Sequence, residues 1–250
     1  MTVSVVTPDR KGGLIVLELA DLGAGETLEE LRERETVVVV LGGVVHVEAD
    51  GRSLGEAGGR TNVFEGPGYA VYAAPGTSLR LTAKTAAQLA IATAPIGDGT
   101  PGQTRIIGPD EQRLGEVGKG NWARSVRTIL GPEHSAGRIL IGETINPPGN
   151  WSSYPPHKHD RQAPPEEVRL EEIYLFKVSP AGGFGVQVHY EDGVNEAFIV
   201  RDNDVALIET GYHPVVAAPG YSLYYLWVMA GDGRQMIPHF DQAHAWVQEP

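Results

Sequence analysis

The run Glu35-Thr36-Val37-Val38-Val39-Val40-Leu41 constrains the fold more than any other stretch of this chain. β-Branched side chains are stiff at χ1, crowd a helical turn and pack well on a pleated surface, so such a run specifies a strand. Gly42-Gly43 and Val44-Val45-His46-Val47-Glu48 follow, closed by Ala49-Asp50-Gly51. Two β-rich runs around a glycine turn predict a hairpin. The same rhythm is read at residues 14–19, 60–64, 70–74, 79–84 and 86–94. It resumes at 138–146, at 172–178 with 185–190 around the turn 180–183, at 197–201 with 205–209, and at 221–230. Residues 22–34 read as a polar connection with weak helical character. The long helical patterns of alternating β/α chains are missing, and 32 glycines with 18 prolines supply many turns. The fold class expected is all-β.

Two halves are visible. Val63-Phe64-Glu65 precedes Ala73-Ala74-Pro75-Gly76-Thr77-Ser78-Leu79, and Leu207-Ile208-Glu209 precedes Ala217-Ala218-Pro219-Gly220-Tyr221-Ser222-Leu223. A shared spacing of this kind predicts two similar β-domains in tandem. Their expected extents are 1–103 and 118–250, joined by a linker over 104–117, with a short C-terminal tail. No histidine pair precedes Glu35, so chemistry is expected in the second half only.

Twenty basic against 32 acidic residues give a formal net charge of -12, which argues against nucleic acid or an anionic membrane as partner. There is no cysteine, so any metal must use nitrogen and oxygen ligands. Met1 to Asp9 carries no secretory pattern and no run approaches 18 apolar residues, which leaves the cytoplasm as the expected location.

Pro155-Pro156-His157-Lys158-His159 holds the most chemical information. Histidines two apart on extended backbone point the same way, and Lys158 between them points the other. Glu171-Glu172-Ile173-Tyr174-Leu175-Phe176 follows after a polar insertion, and Thr210-Gly211-Tyr212-His213-Pro214 offers a further imidazole after a turn. Imidazole with carboxylate suits a divalent first-row metal. Alternation turns Glu171 and Glu172 to opposite faces, so only one of them can serve.

HxH, a downstream glutamate and a later histidine in tandem β-domains resemble a bicupin. The stretch from Asn146-Pro147-Pro148-Gly149-Asn150-Trp151 through His159-Asp160, then Glu171-Glu172-Ile173-Tyr174 and Gly211-Tyr212-His213-Pro214, resembles the 5-deoxy-glucuronate isomerase (IolB) family. That family is related to the 4-deoxy-L-threo-5-hexosulose-uronate ketol-isomerases. The resemblance spans nearly the whole chain, including residues 121–130 and 241–246. It implies tandem cupin-type β-barrels, a homodimer, and one divalent ion, zinc or manganese with iron or nickel as further options, held by His157, His159, Glu172 and His213. It implies no nicotinamide. The insertion departs from the shorter gap of many cupins; counting from the histidines would pick a carboxylate among residues 160–166, whereas strand context picks Glu172.

The reaction implied interconverts 5-deoxy-D-glucuronate and 2-deoxy-5-keto-D-gluconate, a step of myo-inositol catabolism. Such an isomerisation needs a proton removed beside a carbonyl and stabilisation of an enediolate. Tyr174, on the face of Glu172, is a candidate proton relay or hydrogen-bond donor, with an interior aromatic as its competing role. The general base stays open between a water, a carboxylate and a tyrosine. Arg124, Arg127 and Arg169 are candidates for the substrate carboxylate, with surface solvation the competing reading for each. His46 and His189 are read as structural, His239 and His244 as tail residues, and Tyr225 and Trp227 as packing. A metal-dependent dioxygenase and a non-catalytic sugar-binding bicupin are the alternative classes.

Overall fold

A computed structural model describes residues 1–7 and 12–248, so Pro8 and Asp9 of the N-terminal stretch lie outside the described residues. Two compact units divide the chain. The first comprises Met1–Gln112, Ile129–Leu140 and Asp232–Arg234; the second comprises Arg113–Thr128, Ile141–Gly231 and Gln235–Pro250. Among the described residues there is no α-helix, and none is long and apolar enough to cross a membrane.

The first strands are β1 (Thr2–Val5), β2 (Val16–Leu22), β3 (Thr27–Leu31), β4 (Glu35–Gly42) and β5 (Val44–Ala49). β6 (Arg52–Gly58), β7 (Tyr69–Ala73), β8 (Ser78–Ala83), β9 (Ala87–Ala94) and β10 (Arg105–Ile107) follow. They form a six-stranded sheet, β1-β2-β9-β4-β7-β10, and a four-stranded sheet, β3-β8-β5-β6. Val38, Val40, Val71 and Ile91 from one sheet and Val45, Val47, Leu79 and Leu81 from the other make a single buried cluster. The β-branched run of β4 is buried along its whole length because it lies mid-sheet, paired with β7 and β9.

Next come β11 (Arg113–Val117), β12 (Arg124–Leu130), β13 (Ile139–Asn146), β14 (Trp151–Ser152), β15 (His157–Lys158) and β16 (Glu171–Ser179). β17 (Gly185–Glu191), β18 (Val194–Val200), β19 (Val205–Ile208), β20 (Val215–Ala217), β21 (Ser222–Ala230) and β22 (His239–Phe240) complete the chain. Here the sheets are β11-β12-β13-β21-β16-β19 and β14-β20-β17-β18, with β15 paired to β22 alone. Aligning β2–β9 with β13, β14 and β16–β21 gives the same strand order in both halves. That order is the two-sheet, Greek-key pattern of a jelly roll.

Three expected hairpins are absent, for one reason. β4 and β5 lie in different sheets, as do β16 and β17, and β18 and β19. Gly42-Gly43 is instead a corner at which the chain leaves one sheet for the other. Gly43 has φ +88°, and a Cβ there would sit 2.3 Å from the Ala86 carbonyl, so only glycine passes. In these stretches the hairpins are β5–β6 and β17–β18. Residues 60–64 are turn and bend, and the strand lies earlier, at Arg52–Gly58. β3 replaces the weak helix: glutamate and leucine favour helices in isolation, but cross-strand pairing with β8 wins, with Glu29 meeting Arg80 and the Thr27 and Thr82 hydroxyls 3.1 Å apart.

The repeated Ala-Ala-Pro-Gly motif marks a shared turn and not equivalent strands. In both copies the fourth residue's N–H returns to the first residue's carbonyl, Thr77 to Ala74 and Tyr221 to Ala218, each at 3.1 Å. Gly76 and Gly220 have φ +79° and +83°, as position i+2 of a type II turn requires. Yet β7 lies beside β4, whereas β20 lies between β14 and β17, where the counterpart is β8.

Candidate metal centre

β16 runs antiparallel to β21 with Glu172 opposite Met229, Tyr174 opposite Trp227 and Phe176 opposite Tyr225. Residues directly opposite share a face, and alternation then places Glu172, Tyr174, Phe176, Tyr225, Trp227 and Met229 together. All six are buried. Trp227 lies against Gly142 of β13, where a Cβ would approach its ring to 2.1 Å.

His159, Glu172 and His213 each bring one ligand atom into a group spanning no more than 4.8 Å, and all three are buried. His159 Nε2 is 3.0 Å and His213 Nε2 3.3 Å from the same Glu172 oxygen, Oε2. The other nitrogen of each ring is engaged with a backbone carbonyl: His159 Nδ1 with Leu170 O at 2.7 Å, and His213 Nδ1 with Gly211 O at 3.0 Å. A carbonyl can only accept, so both Nδ1 atoms carry the proton, and in the neutral rings both Nε2 lone pairs face a carboxylate oxygen. His213 Nε2 makes no hydrogen bond at all. A buried carboxylate facing two lone pairs needs positive charge, from a proton or a cation. Without a cation, burial works against charge on both partners. The hydrogen bond with His159 and the attraction of the His159 and His213 rings in their charged forms nevertheless hold Glu172 down at about 2, and Glu172 in turn raises His159. The donor set and its carbonyl-fixed tautomers therefore fit a divalent metal.

His157 stands beside this trio. Its ring is 4.9 Å from that of His213 and 6.3 Å from that of His159, and it lies outside the set of converging ligand atoms. Burial, with His213 and His159 adding repulsion, pushes it down to about 3, so the ring is neutral, as a ligand must be. Phe240 packs on it at 5.7 Å, because β22 pairs with β15, His157 opposite Phe240 and Lys158 opposite His239. The tail therefore folds back on the histidine strand. The Tyr190 hydroxyl fastens it by donating to Asp241 Oδ2 at 2.7 Å. Lys158 forms an ion pair with Asp160, which also accepts from the Gly211 N–H beside His213.

Tyr174 belongs to this centre. Its ring is 6.1 Å from His213, and its hydroxyl is 2.8 Å from Ser153 Oγ. Burial, reinforced by the Glu172 charge, raises its pKa well above the usual value and keeps the phenol protonated. The Tyr225 ring packs tilted against that of Tyr174, 4.4 Å away, and its hydroxyl bonds Ser152 Oγ at 2.5 Å, a polar role beyond the packing expected of it. Ser153 has φ 49°, an uncommon left-handed conformation for a serine. Ser152 and Ser153 were not picked out by sequence; their nearness to the HxH pair in Trp151-Ser152-Ser153-Tyr154 was the available signal.

Of the three arginines, Arg124 is buried, Arg127 is half-buried and Arg169 is exposed. His189 bonds the Thr210 carbonyl at 2.8 Å and His46 bonds Ser53 at 3.2 Å, consistent with structural roles.

An all-β chain with a buried pair of imidazoles on one carboxylate defines a class, the two-sheet proteins with a metal-type centre. The particular family follows from comparison with known proteins: residues 1–247 match the profile of the KduI/IolB family, and the chain belongs to it. A 5-deoxy-glucuronate isomerase of Geobacillus kaustophilus (strain HTA426) is 41% identical over 249 residues, covering 98% of this chain and 90% of that protein. The crystal structure of an IolB-like protein from Salmonella typhimurium LT2 superimposes with TM-score 0.90 at 33% identity, covering 98% of each chain. An oxalate decarboxylase of Lactobacillus farciminis shares the fold alone, with TM-score 0.64 at 12% identity over 91% of this chain and 79% of that one.

Proposed function

We propose that the protein is an intramolecular aldose-ketose isomerase that converts 5-deoxy-D-glucuronate to 2-deoxy-5-keto-D-gluconate. The observation that carries this reading is the convergence of His159, Glu172 and His213 in a chain 41% identical to a 5-deoxy-glucuronate isomerase. His159, Glu172 and His213 hold one divalent ion, with His157 as fourth ligand, in the second of two cupin-type barrels. Zinc and manganese suit this set best, and iron or nickel also fit. When bound, the ion supplies Lewis acidity toward the substrate's carbonyl oxygen.

The remaining work falls to the chain. The carbon beside the aldehyde loses its proton, a carbon-carbon double bond forms, and a proton returns to the former aldehyde carbon as the neighbouring hydroxyl becomes the ketone. Tyr174, kept protonated by burial and by Glu172, donates a hydrogen bond or a proton and does not rest as a tyrosinate base. Ser153 orients its hydroxyl. Glu172, held far below the usual carboxylate range, is a weak base suited to ligation. Trp227 and Phe176 shield this face from water.

The assembly proposed is a homodimer. The exposed outer strand β18, with Phe198 40% and Ile199 51% accessible, offers apolar surface for a symmetric contact. Light scattering at one chain mass would count against it.

The deciding experiment mixes metal-replete protein with 5-deoxy-D-glucuronate and follows the ketone by NMR, with chelated protein as control. Product without nicotinamide, phosphate donor or oxygen is expected. No product sinks the assignment, and turnover of a related hexosulose-uronate alone moves it to the neighbouring activity.

A further inference from the structure

Buried polar atoms are nearly always paired, because an orphan forfeits its hydration without replacement. In the second unit five buried side-chain atoms hydrogen-bond to nothing: Arg124 Nε, both amide atoms of Asn146, Gln187 Oε1 and His213 Nε2. The His213 atom belongs to the metal centre. Gln187 spends its amide protons on the carbonyls of Val188, His213 and Pro214, supporting the loop that carries His213. Arg124 and Asn146 have no such explanation.

Arg124 is 8% exposed, and among the described residues it has no carboxylate partner. Its guanidinium donates once, Nη1 to the Trp122 carbonyl at 3.1 Å, and lies 5.7 Å from the centre of the Trp122 ring. A buried cation without a counter-ion is costly, and a fold keeps one when a ligand brings the anion.

Asn146 is fully buried and stands at the end of β13, while Arg124 opens β12. The two strands are neighbours joined by residues 131–138, too short for a parallel crossover, so these ends meet. Thr144, on the same face as Asn146, reaches the Tyr225 hydroxyl, which also holds Ser152. The Tyr225 ring packs against Tyr174, and Tyr174 adjoins Glu172. A line of polar side chains therefore leads from the metal centre through Tyr174 and Tyr225 to Thr144 and the Asn146 end of β13, with Arg124 near enough to Tyr225 and Tyr174 to interact with both.

We propose that Arg124 and Asn146 form a carboxylate subsite: Arg124 pairs with the acid group of a sugar acid, and the Asn146 amide bonds its oxygen or the adjacent hydroxyl. The subsite rests on the isomerase reading for its substrate, and it singles out one arginine. Alternation puts Arg127 on the opposite face of β12 from Arg124, and Arg169 is exposed. One guanidinium flanked by neutral amide and hydroxyl groups matches a single negative charge.

The test compares kcat/KM for 5-deoxy-D-glucuronate with that for 5-deoxy-D-glucose, which carries CH2OH in place of the carboxylate. Wild-type protein is expected to prefer the acid by on the order of 100-fold, the worth of a hydrogen-bonded charge pair. Arg124→Met should erase most of that preference through KM, and Arg124→Lys should keep part of it. Asn146→Leu is the structural control: because the amide bonds nothing in the fold, the variant should melt at or above the wild-type temperature while KM for the acid rises. An unchanged preference in Arg124→Met, or a lower melting temperature with unchanged KM in Asn146→Leu, overturns the subsite. If wild-type protein fails to turn over the acid, the isomerase reading falls alone. Tryptophan fluorescence titrations with D-glucuronate and D-glucose, on metal-loaded and chelated protein, then decide the subsite. A glucuronate-selective response lost in Arg124→Met supports it, and equal responses to both sugars in wild type refute it.

Discussion

Glu35 is a fully buried carboxylate of the first unit, and its replacement by glutamine tests whether that unit uses it for structure. Oε1 accepts from the N–H groups of Arg138 and Ile139, and Oε2 accepts from the Gly137 N–H at 2.7 Å and the Tyr72 hydroxyl at 3.2 Å. Arg234 grips the same segment by its carbonyls, donating to Ile139 at 3.1 Å, His134 at 2.5 Å and Gly131 at 2.7 Å. Glutamine keeps one acceptor oxygen. Left on the side of two donors, it orphans the Gly137 N–H, at about 1–3 kcal/mol, and turns two charge-assisted bonds into neutral ones, at about 1 kcal/mol each. The sum is about 4 kcal/mol, which for a chain of this size corresponds to roughly 8–16 °C in Tm. Scanning calorimetry of Glu35→Gln beside wild type at pH 7 measures it, with Glu35→Leu expected to fall further. A Glu35→Gln protein melting within about 3 °C of wild type would refute the clamp.

Tyr72 gives a pH signature for the same site. Burial first, with the Glu35 charge and hydrogen bond added against the Gly102 amide, pushes its phenol up to about 12. The folded state thus keeps a proton that the unfolded state loses near pH 10. The stabilisation, about 2–3 kcal/mol, is complete below pH 10 and is lost as pH rises toward 12. Urea unfolding across pH 9–12 should show a decline in wild type that is smaller by this amount in Tyr72→Phe, the other buried tyrosines, Tyr174 among them, contributing the rest. Tyr174→Phe should retain metal by elemental analysis and lose roughly 10–100-fold in kcat, since only the donor hydroxyl is removed; full activity would return Tyr174 to a packing role. Truncation after Pro238 removes β22 and the Asp241 fastening. Metal retained through dialysis should fall at least about tenfold, and full retention would show that the tail is dispensable.

The residues that converge, His159, Glu172 and His213, were legible as ligand types, and alternation separates Glu172 from Glu171; the common face expected of the histidine pair did not bring His157 into the converging set. What sequence could not supply was neighbourhood. A period of two tells which way a side chain points and is silent on which strand lies alongside, so β4 and β5 read as a hairpin although a glycine corner sends them to different sheets. The Ala-Ala-Pro-Gly repeat misled in a related way, since turn chemistry recurs wherever a type II turn is needed. β3 was hidden by helix-forming residues on an outer strand, where cross-strand pairing decides. Asn146 and Ser152 are ordinary polar residues in sequence and become informative only once their burial and bonding are known.

The pairing of β15 with β22 also sets an order of events during synthesis. His157 and Lys158 leave the ribosome long before His239 and Phe240, so the histidine strand waits without its sheet partner until β22 has been made. The wall that Phe240 and Asp241 add arrives well after the histidines, and an ion captured earlier would meet a more open cluster than the finished one. Closure of this side of the His157 ring therefore waits on the synthesis of β22.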